Sequence, residues 1–339
     1  MKNIVSVQEI SEFEIKPHDA VACWRALVET EIVQRWSDRS SWIPVDCPTC
    51  KQEEVIPAFE RYGIAYVECP DCGSLYAPLR PSEDELWAWY RESVPAHFWR
   101  DQLLPASELA RYEKVTKPRA DWVLDGIAEY VTSARRLVDI SSYGRGLLDL
   151  VAAENHGLVE LVAAGMTADL EGMSTSRVRV QPTRVADLSE HGPVDVVVAV
   201  DALDRATDLG VLVGALGKLL APGGVVFATA PVASGFEIQT LWERSPTVIP
   251  PDKLNLPTVG GLQKLFSAPT WEILELSTPG MFDVEMVRRA IDAEPDLSWP
   301  RTVRALVEYT DAAGRMALVE LLQSRRLTSF ARLVVRKIS

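Results

Sequence analysis

Leu137-Val138-Asp139-Ile140-Ser141-Ser142-Tyr143-Gly144-Arg145-Gly146 opens the segment 136–230, whose reading decides the fold. An apolar run ends in an acid, a short Gly/Ser turn follows, and Leu147 to Ala153 carry a helix-like pattern. That succession predicts the strand, ligand-facing loop and helix of a βαβ unit. Two further buried-strand runs lie downstream, Val194-Asp195-Val196-Val197-Val198-Ala199-Val200-Asp201 and Gly223-Gly224-Val225-Val226-Phe227-Ala228-Thr229-Ala230. A helical Leu209 to Leu220 and the stop signal Ala221-Pro222-Gly223-Gly224 separate them. The expectation is an α/β chain with a Rossmann-like, doubly wound parallel sheet. Ligands of such sheets sit beyond the carboxyl ends of the strands, where Asp139 and Asp201 fall.

Outward from this segment, 339 residues with 47% hydrophobic content suffice for two compact domains. The pattern divides the chain into an N-terminal helical segment (1–42), a small ribbon (43–80), a helical linker or lid (81–135) and the α/β domain (136–339). The last ends in a helical insertion, Val284 to Ile291 and Thr302 to Leu322, and a closing antiparallel strand, Phe330 to Arg336. No apolar run approaches the roughly 20 residues of a membrane span, and Lys2, Glu9, Glu12 and Glu14 leave no signal-peptide core. A cytoplasmic chain without a membrane role is expected. Its net charge of −13 would repel a phosphate backbone, so nucleic acid is not an expected partner.

Cys47-Pro48-Thr49-Cys50 and Cys69-Pro70-Asp71-Cys72 hold four of the five cysteines as two close pairs flanking a strand-like stretch. Each tight turn presents two thiolates, and together they complete a sulfur tetrahedron around zinc. Such a closed site is structural, because no position remains for water or substrate. Disulfides are the alternative, set against the lack of an export signal. Cys23, on a helix expected from Asp19 to Trp36, reads as a small buried residue. Beyond the ribbon, Ser82 with Glu85 three residues on marks a helix start. His97, in a loop-like break after Pro95, is a candidate for a place near substrate, and His191 reads as an exposed turn residue.

The acid-ended first strand, the Asp201-Ala202-Leu203-Asp204 turn and the Leu219-Leu220-Ala221-Pro222-Gly223-Gly224 approach resemble class I S-adenosylmethionine (SAM) dependent methyltransferases. The segments 233–239, 250–256 and 277–284 resemble a bacterial branch that also carries an N-terminal four-cysteine zinc ribbon, and the resemblance spans most of residues 10 to 290. It implies SAM as cofactor and assigns cofactor-facing positions. In the family pattern of acid, any, Gly, any, Gly, any, Gly, Asp139 keeps the acid while Ser141 and Tyr143 stand at the first two glycine positions. Gly144 and Gly146 are displaced by one, or a one-residue deletion restores the register. The ribose acid that normally ends the second strand (Val159 to Ala164 here) is missing there, Asp169 and Glu171 arriving late, whereas Asp187, with Leu188 next to it, matches the position near the adenine amino group.

Methyl transfer asks mainly for alignment and exclusion of water, with a base where the acceptor must lose a proton. His97, Asp201 and Asp204 are the candidates, helix capping being the bland alternative for Asp204. Two classes of function remain open at this level. One is a methyltransferase acting on a small metabolite, an activated sugar or a natural-product intermediate. The other is a fold that has lost SAM and serves as a noncatalytic subunit, or performs elimination or intramolecular cyclisation, with a partner protein or a second copy of itself.

Overall fold

The computed structural model describes residues 1–7, 10–142, 146–171, 175–267 and 269–338. Seven strands form the main sheet: β1 Arg136–Asp139, β2 Glu160–Ala163, β3 Val178–Val180, β4 Val194–Ala199, β5 Leu220–Pro231, β6 Trp271–Ser277 and β7 Phe330–Lys337. Their order is β6-β7-β5-β4-β1-β2-β3. The strands from β3 to β5 run parallel, and β7 is antiparallel to both β5 and β6. The chain winds from β1 out to β3, then returns to lay β4 against the other side of β1. That reversal leaves a crevice beyond the carboxyl ends of β1 and β4.

Strand alternation sorts the apolar side chains onto two faces. Val138, Val162 and Val197 pack with Leu209, Leu212 and Leu216 of the helix Leu209–Leu219. Leu137, Leu161, Val196 and Val198 pack with helices Lys117–Tyr130 and Gly146–Glu154 on the opposite face. Residues 221–224 form a bulge rather than a separate turn: β5 pairs with β4 at Leu220, shifts register, and resumes pairing at Val225.

The N-terminal helix runs His18–Arg35 and buries Trp24, Val28 and Ile32 along one stripe. Trp36 stacks on Trp89 of the helix Glu83–Glu92, with ring centroids 5.0 Å apart. Three expectations are corrected here. Cys23 is exposed, because the buried stripe begins one residue later. His97 lies in the short helix Val94–Phe98, since Pro95 occupies the first helical turn, where its missing N–H costs nothing, and Ser93 caps that turn. The segment from Thr302 to Leu322 is two helices, Arg301–Val307 and Ala312–Ser324, divided where the Asp311 side chain caps the second.

The ribbon is not free-standing. Its sheet contains Ile56–Arg61, Ile64–Glu68 and Leu75–Tyr76, and a fourth strand, Asn255–Leu256, comes from the connection after β5. A loop of the α/β body is thereby stitched into the ribbon.

Candidate functional site

At the crevice, the short residues after β1 serve the backbone. The Asp139 carboxylate accepts from the Ser141 N–H at 2.8 Å, and the Ser141 hydroxyl accepts from the Val200 N–H at 3.0 Å. The Ser142 hydroxyl donates to the Asp201 carbonyl at 2.6 Å. Ser141 and Ser142 therefore lock β1 to the end of β4. Just past β2, a Cβ on Gly165 would lie 2.2 Å from the Ser141 carbonyl oxygen, so only glycine allows the two loops to touch. The Thr167 hydroxyl closes the same seam by donating to the Ser142 carbonyl at 3.0 Å.

A cavity of about 490 Å³ opens against this junction, within the range of small-molecule sites. Ile140, Ala164, Val185 and Leu188 give it an apolar wall on the sheet side. Val45, Asp46 and Lys51 of the ribbon, with Glu83 and Trp87 of the lid helix, face them. The Glu83 carboxylate accepts from the Val185 N–H at 3.0 Å, and Arg184 lies over the Trp87 ring, so lid and sheet are joined across the cavity rim.

A second cavity, about 370 Å³, lies beyond β5 and β7, where Thr229, Pro231, Phe330 and Arg332 contribute to its wall. Arg205 lines both cavities, and Asp201 lines the second. Asp201 holds a left-handed φ of 52°, which turns its side chain back over the sheet end, where the Thr229 hydroxyl donates to it at 3.1 Å. Burial opposes its charge, but Arg119 at 3.4 Å, together with Lys253 and Arg205, holds its pKa well below the ordinary carboxylate range. Arg205 pairs with Asp252 at 3.1 Å in a nearly water-free setting.

Glu237 also lines the second cavity and is fully buried. Ser245 donates to its Oε1 at 2.7 Å, while Oε2 has no hydrogen-bond partner. Burial, assisted by the negative charge of Asp283, pushes its pKa up to about 8. Sequence reading missed this group, because an acid in the first turn of a helix is ordinary.

Asp204 is fully buried, paired with Lys253, and lines neither cavity. Its backbone carbonyl accepts from the Leu254 and Asn255 N–H groups, so it organises the turn after β4. The cap of the following helix is Asp208. His97 is exposed, 2.6 Å from Arg100 and away from both cavities. Asp169 is exposed in a bidentate pair with Arg91 at 2.7 and 2.9 Å. Leu188 lines the first cavity, whereas Asp187 is exposed and outside its wall. Gly146 opens the helix after β1; Tyr143 and Gly144 lie outside the described residues. His191 is buried rather than exposed, because the turn Val185–His191 tucks it under β3, with Nε2 2.8 Å from the Thr183 hydroxyl.

Sulfur atoms of Cys47, Cys50, Cys69 and Cys72 all lie within 4.8 Å of one another, and none is in a disulfide. A tetrahedral zinc with bonds of about 2.3 Å would set sulfur separations of about 3.8 Å, so the cluster could hold such an ion. The two turns match: Lys51 and Gly73, each following the second cysteine of its pair, take left-handed φ values of 63° and 68°. Thr49 and Ser74 hydroxyls lie 3.0 and 3.2 Å from the Cys72 sulfur.

The chain order along the sheet is thus 3-2-1-4-5-7-6, a doubly wound sheet with an antiparallel seventh strand inserted beside the fifth. This is the strand order that the resemblance to class I methyltransferases implies. No protein-family model and no curated protein matches the sequence. Among solved structures, the plantazolicin methyltransferase BpumL in complex with SAH is similar at a TM-score of 0.46 and 10% identity, over 75% of this chain and 94% of that one. The O-methyltransferase of a trans-AT PKS multienzyme of Brevibacillus brevis, with S-adenosyl-L-homocysteine, is similar at 0.43 and 12%, over 83% of each chain. The [4+2]-cyclase SpnF is similar at 0.37 and 19%, over 64% and 80%. These likenesses reach no further than the fold.

Proposed function

We propose that this chain is a methyltransferase-like enzyme acting on a small metabolite, with a donor in the first cavity, the acceptor in the second and a structural zinc in the four-cysteine cluster. The observation that carries the reading is the pair of cavities meeting at Arg205, at the strand ends where this fold places its ligands. The first cavity suits an adenosyl group in volume and in its apolar wall of Ile140, Val185 and Leu188. No acid stands on the wall at the end of β2, where Ala164 and Gly165 lie; Asp46 and Glu83, across the cavity, are the carboxylates for the ribose hydroxyls. Bound SAM would supply an electrophilic methyl group. The protein's part is to close the donor under the ribbon, orient the acceptor and keep water out. An acid held ionised as firmly as Asp201 is a weak base, so its role is to fix Arg119 and the local charge rather than to take a proton.

Calorimetry with SAM and S-adenosylhomocysteine tests the proposal. Binding at or below about 100 μM, or about −5.5 kcal/mol, is expected. A flat titration would favour a second reading, in which the fold no longer uses SAM and serves elimination, cyclisation or a noncatalytic role beside a partner. The engagement of Asp169 by Arg91, which occupies that candidate for the ribose hydroxyls, is the observation behind that reading.

A further inference from the structure

The second cavity is lined by more basic than acidic side chains, unlike the composition of the chain. The protein carries a net charge of −13, yet eight Lys and Arg side chains and four Asp and Glu side chains line this space. Six of the eight cations face carboxylates: Lys16 pairs with Glu12, Lys114 with Glu14, Lys253 with Asp204, and Arg332 with Glu275, besides the Arg119 and Arg205 pairs. Arg25 is different. One of its terminal nitrogens donates to the Pro246 carbonyl at 3.3 Å, its Nε is buried without a partner, and no carboxylate of the described residues pairs with it. Glu237 is held one residue away, through Ser245, and its Oε2 is likewise buried without a partner.

A half-buried guanidinium with no carboxylate in direct contact, only the more distant charge of Glu12, and a buried carboxyl oxygen without a partner are each costly to leave unmatched. One ligand satisfies both. An oxyanion accepts from the guanidinium and also from a protonated carboxyl, in charge-assisted bonds stronger than neutral ones. The raised pKa of Glu237 keeps its proton available for this at neutral pH. An uncharged sugar or a cationic amine would leave Arg25 with no anion in direct contact.

We propose that the second cavity binds a small organic oxyanion, a carboxylate or a phosphoryl group, between Arg25 and Glu237, held by the 245–246 turn. This deepens the reading above, on which it rests for treating the cavity as the acceptor's place, by naming the acceptor as an anionic metabolite. The test titrates the full-length protein calorimetrically with succinate, inorganic phosphate and pyrophosphate, and with glucose as the uncharged control. At least one oxyanion is expected to bind with a Kd of about 1 mM or tighter, and glucose not at all. Glu237→Gln, which keeps size and a donor but loses the acidic proton, should weaken that binding about threefold to tenfold, and Arg25→Met about tenfold or more. Which arm binds tells carboxylate from phosphoryl recognition. Failure of all three oxyanions to bind, or binding undiminished in two variants that melt like the parent, would overturn the proposal. The SAM titration is read separately: oxyanion binding without SAM binding removes the donor and keeps this inference, and the converse removes the inference alone.

Discussion

At the scale of single residues, the site depends on side chains whose roles are set by what surrounds them. Ser141 occupies a position where the class I methyltransferase pattern has glycine, and its hydroxyl accepts from the Val200 N–H. Glu237 shows the same dependence through its protonation. Its folded-state pKa of about 8 exceeds the ordinary glutamate value of 4.5 because burial penalises the anion, with Asp283 and Glu12 adding repulsion against the weaker pull of Ser245 and Thr247. A group raised in this way contributes stability that is complete below about pH 4.5 and is lost as pH climbs through about 8. Urea unfolding at pH 5 and pH 8 should therefore show the parent losing more stability than Glu237→Gln, by more than about 1 kcal/mol. Parallel pH profiles for the two proteins would show that Glu237 is ionised throughout.

At the scale of elements, the proposed zinc bears on the stability of the ribbon. Its sheet packs Ile64, Tyr66 and Leu75 into the core, but around the cysteine turns themselves only Val67 and Tyr76 are buried, with Val45 partly so, and little apolar burial holds those turns together. Thiolate coordination supplies the missing free energy in sites of this kind. Elemental analysis should find one zinc per chain, and a chelator should remove it with loss of the ribbon's proton resonances or of its resistance to proteolysis. A metal-free protein with an intact ribbon would exclude a structural metal. Because Val45, Asp46 and Lys51 wall the first cavity, the chelated protein should also lose affinity for whatever that cavity holds.

At the scale of the whole molecule, one of the points that join ribbon and sheet is a buried polar hub. Arg80 is completely buried and donates to Asn255 at 2.6 Å, to the Ala77 carbonyl at 2.8 Å and to the Thr207 carbonyl at 3.2 Å. Asn255 in turn donates to the Leu203 and Ala206 carbonyls, so the ribbon's exit, its fourth strand and the turn after β4 share a single polar hub. Burial pulls the Arg80 pKa down to about 10, and the guanidinium stays charged at neutral pH. Replacing it in Arg80→Met would strand several buried acceptors and should cost about 2–4 kcal/mol in denaturant unfolding. A change within about 0.5 kcal/mol, the size of an ordinary surface substitution, would mean that water or rearranged backbone satisfies the hub.

The α/β class, the order of the strands along the chain, the closing antiparallel strand and the cysteine turns were all legible in the sequence, because period-two apolar runs, glycine stops and paired thiols are local signals. The position of Asp139 at the end of β1 and of Asp201 just past β4 followed from the same pattern, although Asp139 lines neither cavity. Tertiary structure alone decided which side chains face a ligand. It turned Asp204 and Asp169 toward cations, gathered Arg25 and Glu237 from distant elements into one cavity, and drew Asn255 into the ribbon sheet. Burial and charge pairing depend on neighbours far apart in the chain, and no window of local sequence carries that information.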